Sequence, residues 1–250
     1  MSVYDFQMSI INKIGRRVRR VFPTADFKKS YAQCGEDLIV HYLFHWIGIA
    51  KPSYLDLGAH HPTYLSNTYH FYLQHSYGVC VEPDPAYFSG FQKKRGRDIC
   101  LNVGVGTTTS TEADFFLMSA PTLNTFSEEE AKRFEAETSY KILKQIKMPI
   151  IAINEIVEKY FLDGPNFVSL DIEGLDLAIL QAFDFTRWRP QVFCVETVVF
   201  SEQRSGATKV TDVIKFMQEQ GYFVYADTYI NTIFVDQSAW QDESSQKGDL

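Results

Sequence analysis

The chain has no apolar run near the ~18 residues that a bilayer-spanning helix needs, and no secretory leader pattern is visible. Cytoplasmic is therefore the default expectation. Cysteine is scarce: Cys34, Cys80, Cys100 and Cys194 show no metal-type pairing. Cys80 and Cys194 sit within apolar strand patterns and read as buried free thiols of a reducing compartment. None of the four has a His and an acid arranged beside it, which sets cysteine-based nucleophilic catalysis aside. A basic excess is missing too. Lys and Arg total 24 against 31 Asp and Glu, a formal charge of −7, and this argues against a nucleic-acid partner, whose binding footprint is usually basic. Gly-x-Gly-x-x-Gly does not follow the first strand, which disfavours a nicotinamide-dependent oxidoreductase or epimerase.

What is present is a chain of 250 residues, 45% hydrophobic and rich in Phe and Tyr, long enough to bury an aromatic core as one large α/β domain. Residues 1–30 stand apart as a basic helical extension. Ile10, Ile11, Ile14, Val18 and Val21 recur at helical spacing, with Lys13, Arg16, Arg17, Arg19 and Arg20 between them. Such a helix can make peripheral contact with an anionic membrane surface. It can equally pack on the domain or on a second subunit of a homo-oligomer, and the shortness of the stripe favours packing. Residues 31–240 form the domain, and 241–250 are a polar tail.

The domain is organised around Ser53–Pro62. Tyr54, Leu55 and Leu57 make a short buried strand that carries Asp56 near its end, followed by Gly58 and a tight loop. Ser66, Asn67 and Thr68 offer N-cap oxygens to a helix beginning near Tyr69. Strand, acid, glycine turn and helix is how an α/β sheet builds a ligand crevice at the carboxyl ends of its strands. Further buried strands deliver Glu82, then Asn102, then Asp171 and Glu173, and finally Glu196. Glu82 lies somewhat beyond the roughly 20 residues at which a dinucleotide fold places its ribose-binding acid. Four acids and an amide placed in succession along one alternating chain should open onto one crevice. Residues 118–150 break the alternation: a loop-like stretch, a charged helix from Ser127 and a polar return read as a lid insertion. A surface insertion without a role in the site is the other reading.

Two parallel halves followed by a strand pair is the layout of class I S-adenosylmethionine (SAM) methyltransferases. In order along the chain stand Gln33-Cys-Gly-Glu-Asp37, Tyr54-Leu-Asp-Leu-Gly-Ala-His60, Ser66-Asn-Thr68, Val81-Glu-Pro-Asp-Pro85, Leu101-Asn-Val-Gly-Val105, Val168-Ser-Leu-Asp-Ile-Glu-Gly174 and Val195-Glu-Thr197. Each is weak alone; the ordered set resembles the FkbM family of SAM-dependent methyltransferases from about residue 31 to 235. The resemblance implies a Rossmann-like α/β fold with a central, mostly parallel seven-stranded sheet, an antiparallel last strand and helices on both faces. One departure is Gly58-Ala59-His60-His61-Pro62, where many methyltransferases carry Gly-x-Gly.

The resemblance further implies a cofactor pose. Asp56 and the backbone of Gly58 and Ala59 would hold the methionyl amino group, with Asn67 and Asp171 close by. Glu82 would take the ribose hydroxyls, Asn102 would face adenine, and Gln33 would reach the methionine carboxylate. The substrate class it suggests is a hydroxyl of a sugar, glycan or secondary metabolite. An alcohol is a poor nucleophile near neutral pH, so a general base is worth roughly 10²–10⁴-fold. Asp171 is the first choice as base or metal ligand, with Glu173 as companion. Asp171 with Glu196 is the metal pair, and oxygen ligands suit Mg²⁺. Glu173 as a helix cap and Glu196 as an acceptor of backbone amides are the competing roles. Neutral His60 is a further base candidate. A catalytically inactive SAM-binding regulator on the same fold is the alternative function.

Overall fold

A computed structural model describes residues 28–199 and 208–240; the basic N-terminal stretch of 1–27 and the tail of 241–250 lie outside the described residues. The elements in order are α1 (Glu36–Ile47), β1 (Tyr54–Leu57), α2 (Tyr69–Leu73), β2 (Gly78–Val81), α3 (Pro85–Lys94), β3 (Ile99–Leu101), β4 (Gly104–Gly106) and β5 (Ser110–Met118). They continue with α4 (Glu128–Glu137), β6 (Ile142–Ala152), α5 (Ile153–Tyr160), β7 (Phe167–Leu170), α6 (Asp176–Ala182), β8 (Val192–Glu196), β9 (Val198–Val199), β10 (Thr208–Lys209), α7 (Thr211–Glu219), β11 (Tyr222–Asp227) and β12 (Asn231–Asp236).

Seven strands form the central sheet in the order β3-β2-β1-β7-β8-β12-β11. β3, β2, β1, β7 and β8 run parallel. The last strand, β12, inserts antiparallel between β8 and β11. This is the mixed α/β architecture expected from the sequence. The switch in strand order falls beside β1, where an α/β sheet opens its crevice.

Strand pleating divides the core in two. Leu55, Leu57, Val79, Val81, Val168 and Phe193 face one layer, packed under α5, α6 and α7 through Ile156, Val157, Ile179 and Met217. Tyr54, Cys80, Phe167, Val192 and Cys194 face the other, under α1 and α2 through Val40, Leu43, Phe44 and Phe71. Successive side chains of a strand point to opposite faces, so Asp56 falls with Tyr54 on the second side. In register with it across the sheet stand Cys80 and Ser169.

That second side contains an unusual polar centre. Arg95, at the end of α3, is fully buried. Its Nε donates to Asp98 (2.7 Å), while Nη1 donates to the Pro62 carbonyl (3.2 Å) and the Ser66 hydroxyl (3.4 Å). Nη2 donates to the Tyr54 hydroxyl (3.1 Å) and to Thr68 Oγ1 (3.0 Å). Tyr54 in turn donates to Asp98, and Thr68 to Asp56. One guanidinium thus ties the second half of the loop between β1 and α2 to the start of β1 and to Asp98.

The sequence expectation treats residues 118–150 as a single insertion. The structure divides them. Pro121–Leu123 is a short 3-10 turn and α4 follows, but Ile142–Met148 is the first half of a long strand. β6 pairs antiparallel with β5 and parallel with β4 in a separate three-stranded sheet. Lys144, Gln145 and Lys147 obscure strand alternation there, and pairing with β5 supplies what the local pattern does not.

Arg95→Met should cost about 3–5 kcal/mol, because it leaves the Asp98 carboxylate buried without its cation. Urea unfolding measures this, and Arg95→Met/Asp98→Leu should lose less than Arg95→Met alone.

Candidate active site

A cavity of about 280 Å³ opens at the carboxyl ends of the central strands. Its first wall is the turn after β1. Gly58 adopts φ +75°, and a Cβ there would stand 1.7 Å from the Asp171 carbonyl oxygen. Only glycine lets this turn lie against the end of β7. The amides of Gly58 and Ala59 both donate to the Val81 carbonyl (3.1 Å each), tying the turn to β2.

His60 follows in the left-handed region (φ 49°). Its amide donates to Glu82 Oε2 (2.6 Å), and its ring lies tilted on Tyr87 with centroids 4.3 Å apart. Burial, with the neighbouring His61, lowers its pKa, so it is a neutral imidazole at the cavity wall. His61 turns to different work. Its Nδ1 accepts from the amides of Thr63 (3.2 Å) and Tyr64 (3.0 Å), closing the loop.

Glu82, just past β2, is buried at 6% exposure. Its two oxygens accept the amides of His60 and of Asp84 (2.7 Å). Burial outweighs those bonds and pushes its pKa up to about 8. The bonds fix the carboxylate while leaving lone pairs for a ligand.

β7 and β8 supply the remaining acids. Asp171, Glu173 and Glu196 each offer an oxygen within 4.8 Å of the other two. Burial raises the pKa of Asp171 to about 6, against a hydrogen bond with Glu196 that lowers it. Burial, then the Asp171 charge, raises Glu173 and Glu196 well above the usual carboxylate range. Glu173 is held at φ 53° with Gly174 at φ 95°, a turn that ends β7 abruptly. Neither Glu173 nor any other side chain caps the following helix; Asp176, its first residue, accepts the Ile172 amide at Oδ1 (3.2 Å) and ties the turn to the helix start.

Gln33 reaches the cavity from the segment ahead of α1. Glu36 and Asp37 are both buried in holding that segment: Asp37 accepts Ser30 Oγ (2.6 Å) and the Tyr31 amide (2.7 Å), and Glu36 accepts the Cys34 amide (2.8 Å). This segment therefore both leads into α1 and presents Gln33 to the cavity.

Gln33, Gly58, His60, Glu82, Asp171, Glu173 and Glu196 are brought together around the cavity; Asp56, Ala59, Asn67 and Asn102 are not among its lining residues. Asp56 is 4% exposed and faces Thr68 on the opposite side of the sheet. Strand parity places it there, one residue before the strand end. Ala59 is packed in the layer under α1. Asn67 donates to Ser169 Oγ (3.1 Å), beside Asp56. Asn102 donates to the carbonyls of Glu82 and Pro83 (2.9 Å each), bracing the turn rather than facing adenine.

Sequence reasoning did not single out Leu65, Pro83, Asn124, Val198 or Ile230, all of which line the cavity. From 118–150, the cavity takes Pro121–Asn124 and Phe126. Asn124 Nδ2 donates to Asp84 (3.0 Å) and Thr125 Oγ1 to the Glu173 carbonyl (2.9 Å), so this segment is clasped to two opposite walls. An asparagine in a loop reads as a turn residue, and nothing local marks it as a clasp.

A mostly parallel sheet with its cavity at the switch in strand order, walled by acids at strand ends, defines an α/β enzyme of the nucleotide-cofactor type. The family model of the methyltransferase FkbM domain matches residues 56–224, more than half of the chain, and the chain belongs to that family. No curated protein sequence matches it. Among solved structures it is similar to a methyltransferase FkbM from Methylobacillus flagellatus KT, at 14% identity and TM-score 0.44, covering 74% of this chain and 44% of that one. A 1,6-didemethyltoxoflavin-N1-methyltransferase from Burkholderia thailandensis, solved with S-adenosylhomocysteine and its substrate, is 8% identical at TM-score 0.41, covering 94% and 91%. A putative RNA methyltransferase from Pyrococcus horikoshii is 13% identical at TM-score 0.39, covering 83% and 87%. The chain thus spans less than half the length of the first of these.

Gly58→Ala should abolish ligand binding in this cavity while the Cβ pushes β1 from β7, measurable by calorimetry and by a lowered unfolding temperature. A pH dependence also follows. The folded-state pKa values of Glu82 (about 8), Asp176 (about 7) and Asp171 (about 6) lie above their unfolded values. The folded protein therefore keeps protons that the unfolded chain has released, and stability falls as pH rises from the carboxylate range to about 8. Urea midpoints across that range should decline, and Glu82→Gln should flatten part of the decline.

Proposed function

We propose that the chain is a SAM-dependent O-methyltransferase acting on a hydroxyl of a sugar, glycan or secondary metabolite. The observation that carries this reading is the charge of the cavity. Among the described residues its ionisable lining is Glu82, Asp171, Glu173 and Glu196 with His60, and it includes neither lysine nor arginine. SAM brings a sulfonium, an ammonium and one carboxylate, a net positive charge without phosphate, and its arrival favours the ionised form of these acids, whose pKa values burial raises. A dinucleotide would bring two phosphates to four carboxylates, and the phosphate-cradling glycines are absent as well. Family membership supports the same cofactor.

The fit extends to particular groups. Glu82, fixed by two amides, has lone pairs suited to paired ribose hydroxyls. The Gly58 turn, free of a Cβ, lets backbone approach the ligand. Gln33 and the carboxylates beyond β7 and β8 remain for the methionyl end and the acceptor. Asp56 has a supporting part, holding Thr68 behind the turn.

When bound, SAM supplies an activated methyl for in-line displacement by oxygen, so positioning is a large part of the rate enhancement. Asp171, with a pKa near 6, is ionised enough at neutral pH to accept the acceptor's proton and basic enough to hold it. Glu196, hydrogen-bonded to Asp171, orients that carboxylate and shares the proton. Phe115, Leu123 and Phe126 exclude water from the cavity. Asp171, Glu173 and Glu196 are also an oxygen-only set of the kind that Mg²⁺ accepts, where an ion would acidify the hydroxyl.

Calorimetry should detect S-adenosylhomocysteine binding and no NAD binding; the reverse result would overturn the cofactor assignment. With a sugar acceptor in hand, Asp171→Asn should lose about 10²–10⁴-fold in kcat while its S-adenosylhomocysteine affinity holds. Unchanged turnover removes Asp171 from the mechanism. Chelation by EDTA separates the two uses of the acids: an unchanged rate leaves Asp171 as a plain base, and a loss restored by added Mg²⁺ makes it a ligand.

A further inference from the structure

A second cavity of about 520 Å³ adjoins the first and has three tyrosines in its wall. Tyr31, Tyr64 and Tyr69 line it with Leu65, and Lys29 and Lys94 are also in its lining, which holds no carboxylate among the described residues. In a chain of net charge −7 that is a local inversion of sign. The adjoining cavity has the opposite character, with four carboxylates and no lysine or arginine.

The two cavities share walls. Leu65 lines both, held in the left-handed region at φ 52°. Ala32 faces the second and its neighbour Gln33 the first. The shared partition is held in place: the Ser66 amide donates to the Tyr31 carbonyl (2.9 Å) and the Tyr31 amide donates to Asp37 (2.7 Å). Tyr31 and Tyr69 meet edge to face with centroids 4.9 Å apart, and Tyr64 stays 63% exposed. Lys29 Nζ sits over the Tyr31 ring at 4.8 Å.

Aromatic faces offer stacking surface to the C–H face of a sugar ring, and ammonium groups bind carboxylate or phosphate. We propose that this second cavity is an acceptor subsite for a saccharide unit carrying an anionic group, a uronate or a sugar phosphate, adjacent to the unit that is methylated. The proposal rests on the first cavity being the methyl-transfer site. The acid-rich first cavity takes the cationic cofactor and the neutral hydroxyl, and the lysine-bearing second one takes the anionic neighbour, so charge sets the direction in which the acceptor lies.

The test uses the full chain saturated with S-adenosylhomocysteine and three probes: trigalacturonate, glucose 1-phosphate and maltotriose, followed by calorimetry and by protein NMR. Trigalacturonate should bind more tightly than maltotriose, and the preference should shrink as salt screens it. Binding by glucose 1-phosphate as well assigns the preference to negative charge in general, and its absence assigns it to the carboxylate. Lys29→Gln/Lys94→Gln should weaken trigalacturonate about tenfold, as expected for two partly exposed charge contacts, and Tyr64→Ala should weaken all binding saccharides alike. In both variants the affinity for S-adenosylhomocysteine should stay as in the parent protein. Equal binding of charged and neutral saccharides, indifference to the lysine substitutions, or no saturable saccharide binding at all overturns the subsite. Loss of S-adenosylhomocysteine binding in the parent protein would instead sink the cofactor assignment.

Discussion

The buried guanidinium of Arg95 is the constraint on which the site depends. A charge in the interior is tolerated only when its hydrogen-bonding capacity is met, and here the partners come from separate parts of the chain. Asp98 precedes β3, Tyr54 opens β1, and Pro62, Ser66 and Thr68 belong to the loop between β1 and α2. Satisfying one side chain thereby ties the later part of this loop, from Pro62 to Thr68, to β1 and to the start of β3, while Val81 and Glu82 hold its Gly58–His60 part.

In front of the sheet the electrostatics run the other way. Glu82, Asp171, Glu173 and Glu196 gather without a cation among the described residues of the cavity walls, and their pKa values rise through burial and, for Glu173 and Glu196, through the Asp171 charge as well. A protein keeps such an arrangement at a cost in stability when a ligand bearing positive charge completes it. Family membership and charge complementarity both point to a methyl donor that is itself a cation. Asp171 is the least perturbed of the three clustered acids.

The lid region joins these two halves. Asn124 is clasped to Asp84 beyond β2 and Thr125 to Glu173 beyond β7, so the same short segment spans the crevice and reports on both walls. Leu123 and Phe126 of this segment add apolar surface to the cavity wall.

Much of this protein was legible in its sequence. Buried strands separated by amphipathic helices, each strand ending on an acid or amide, dictate a parallel sheet with one crevice, because periodicity and turn residues are local properties. Glu82, Asp171, Glu173 and Glu196 were readable because they lie at or just past the strand ends. Gly58 was readable because a turn against a neighbouring strand excludes a Cβ. Asp56 was misplaced because its position, one residue before the end of β1, puts it on the other face of the pleat, where Thr68 and Arg95 await it. Asn102 and Asn67 have polar side chains that satisfy backbone or neighbouring hydroxyls, a choice set by distances across the sheet. Which histidine of the pair faces the cavity, which residues of the insertion cover it, and that a buried arginine holds the loop were decided only by tertiary structure. Each depends on contacts between residues far apart in the chain, and no local pattern encodes them.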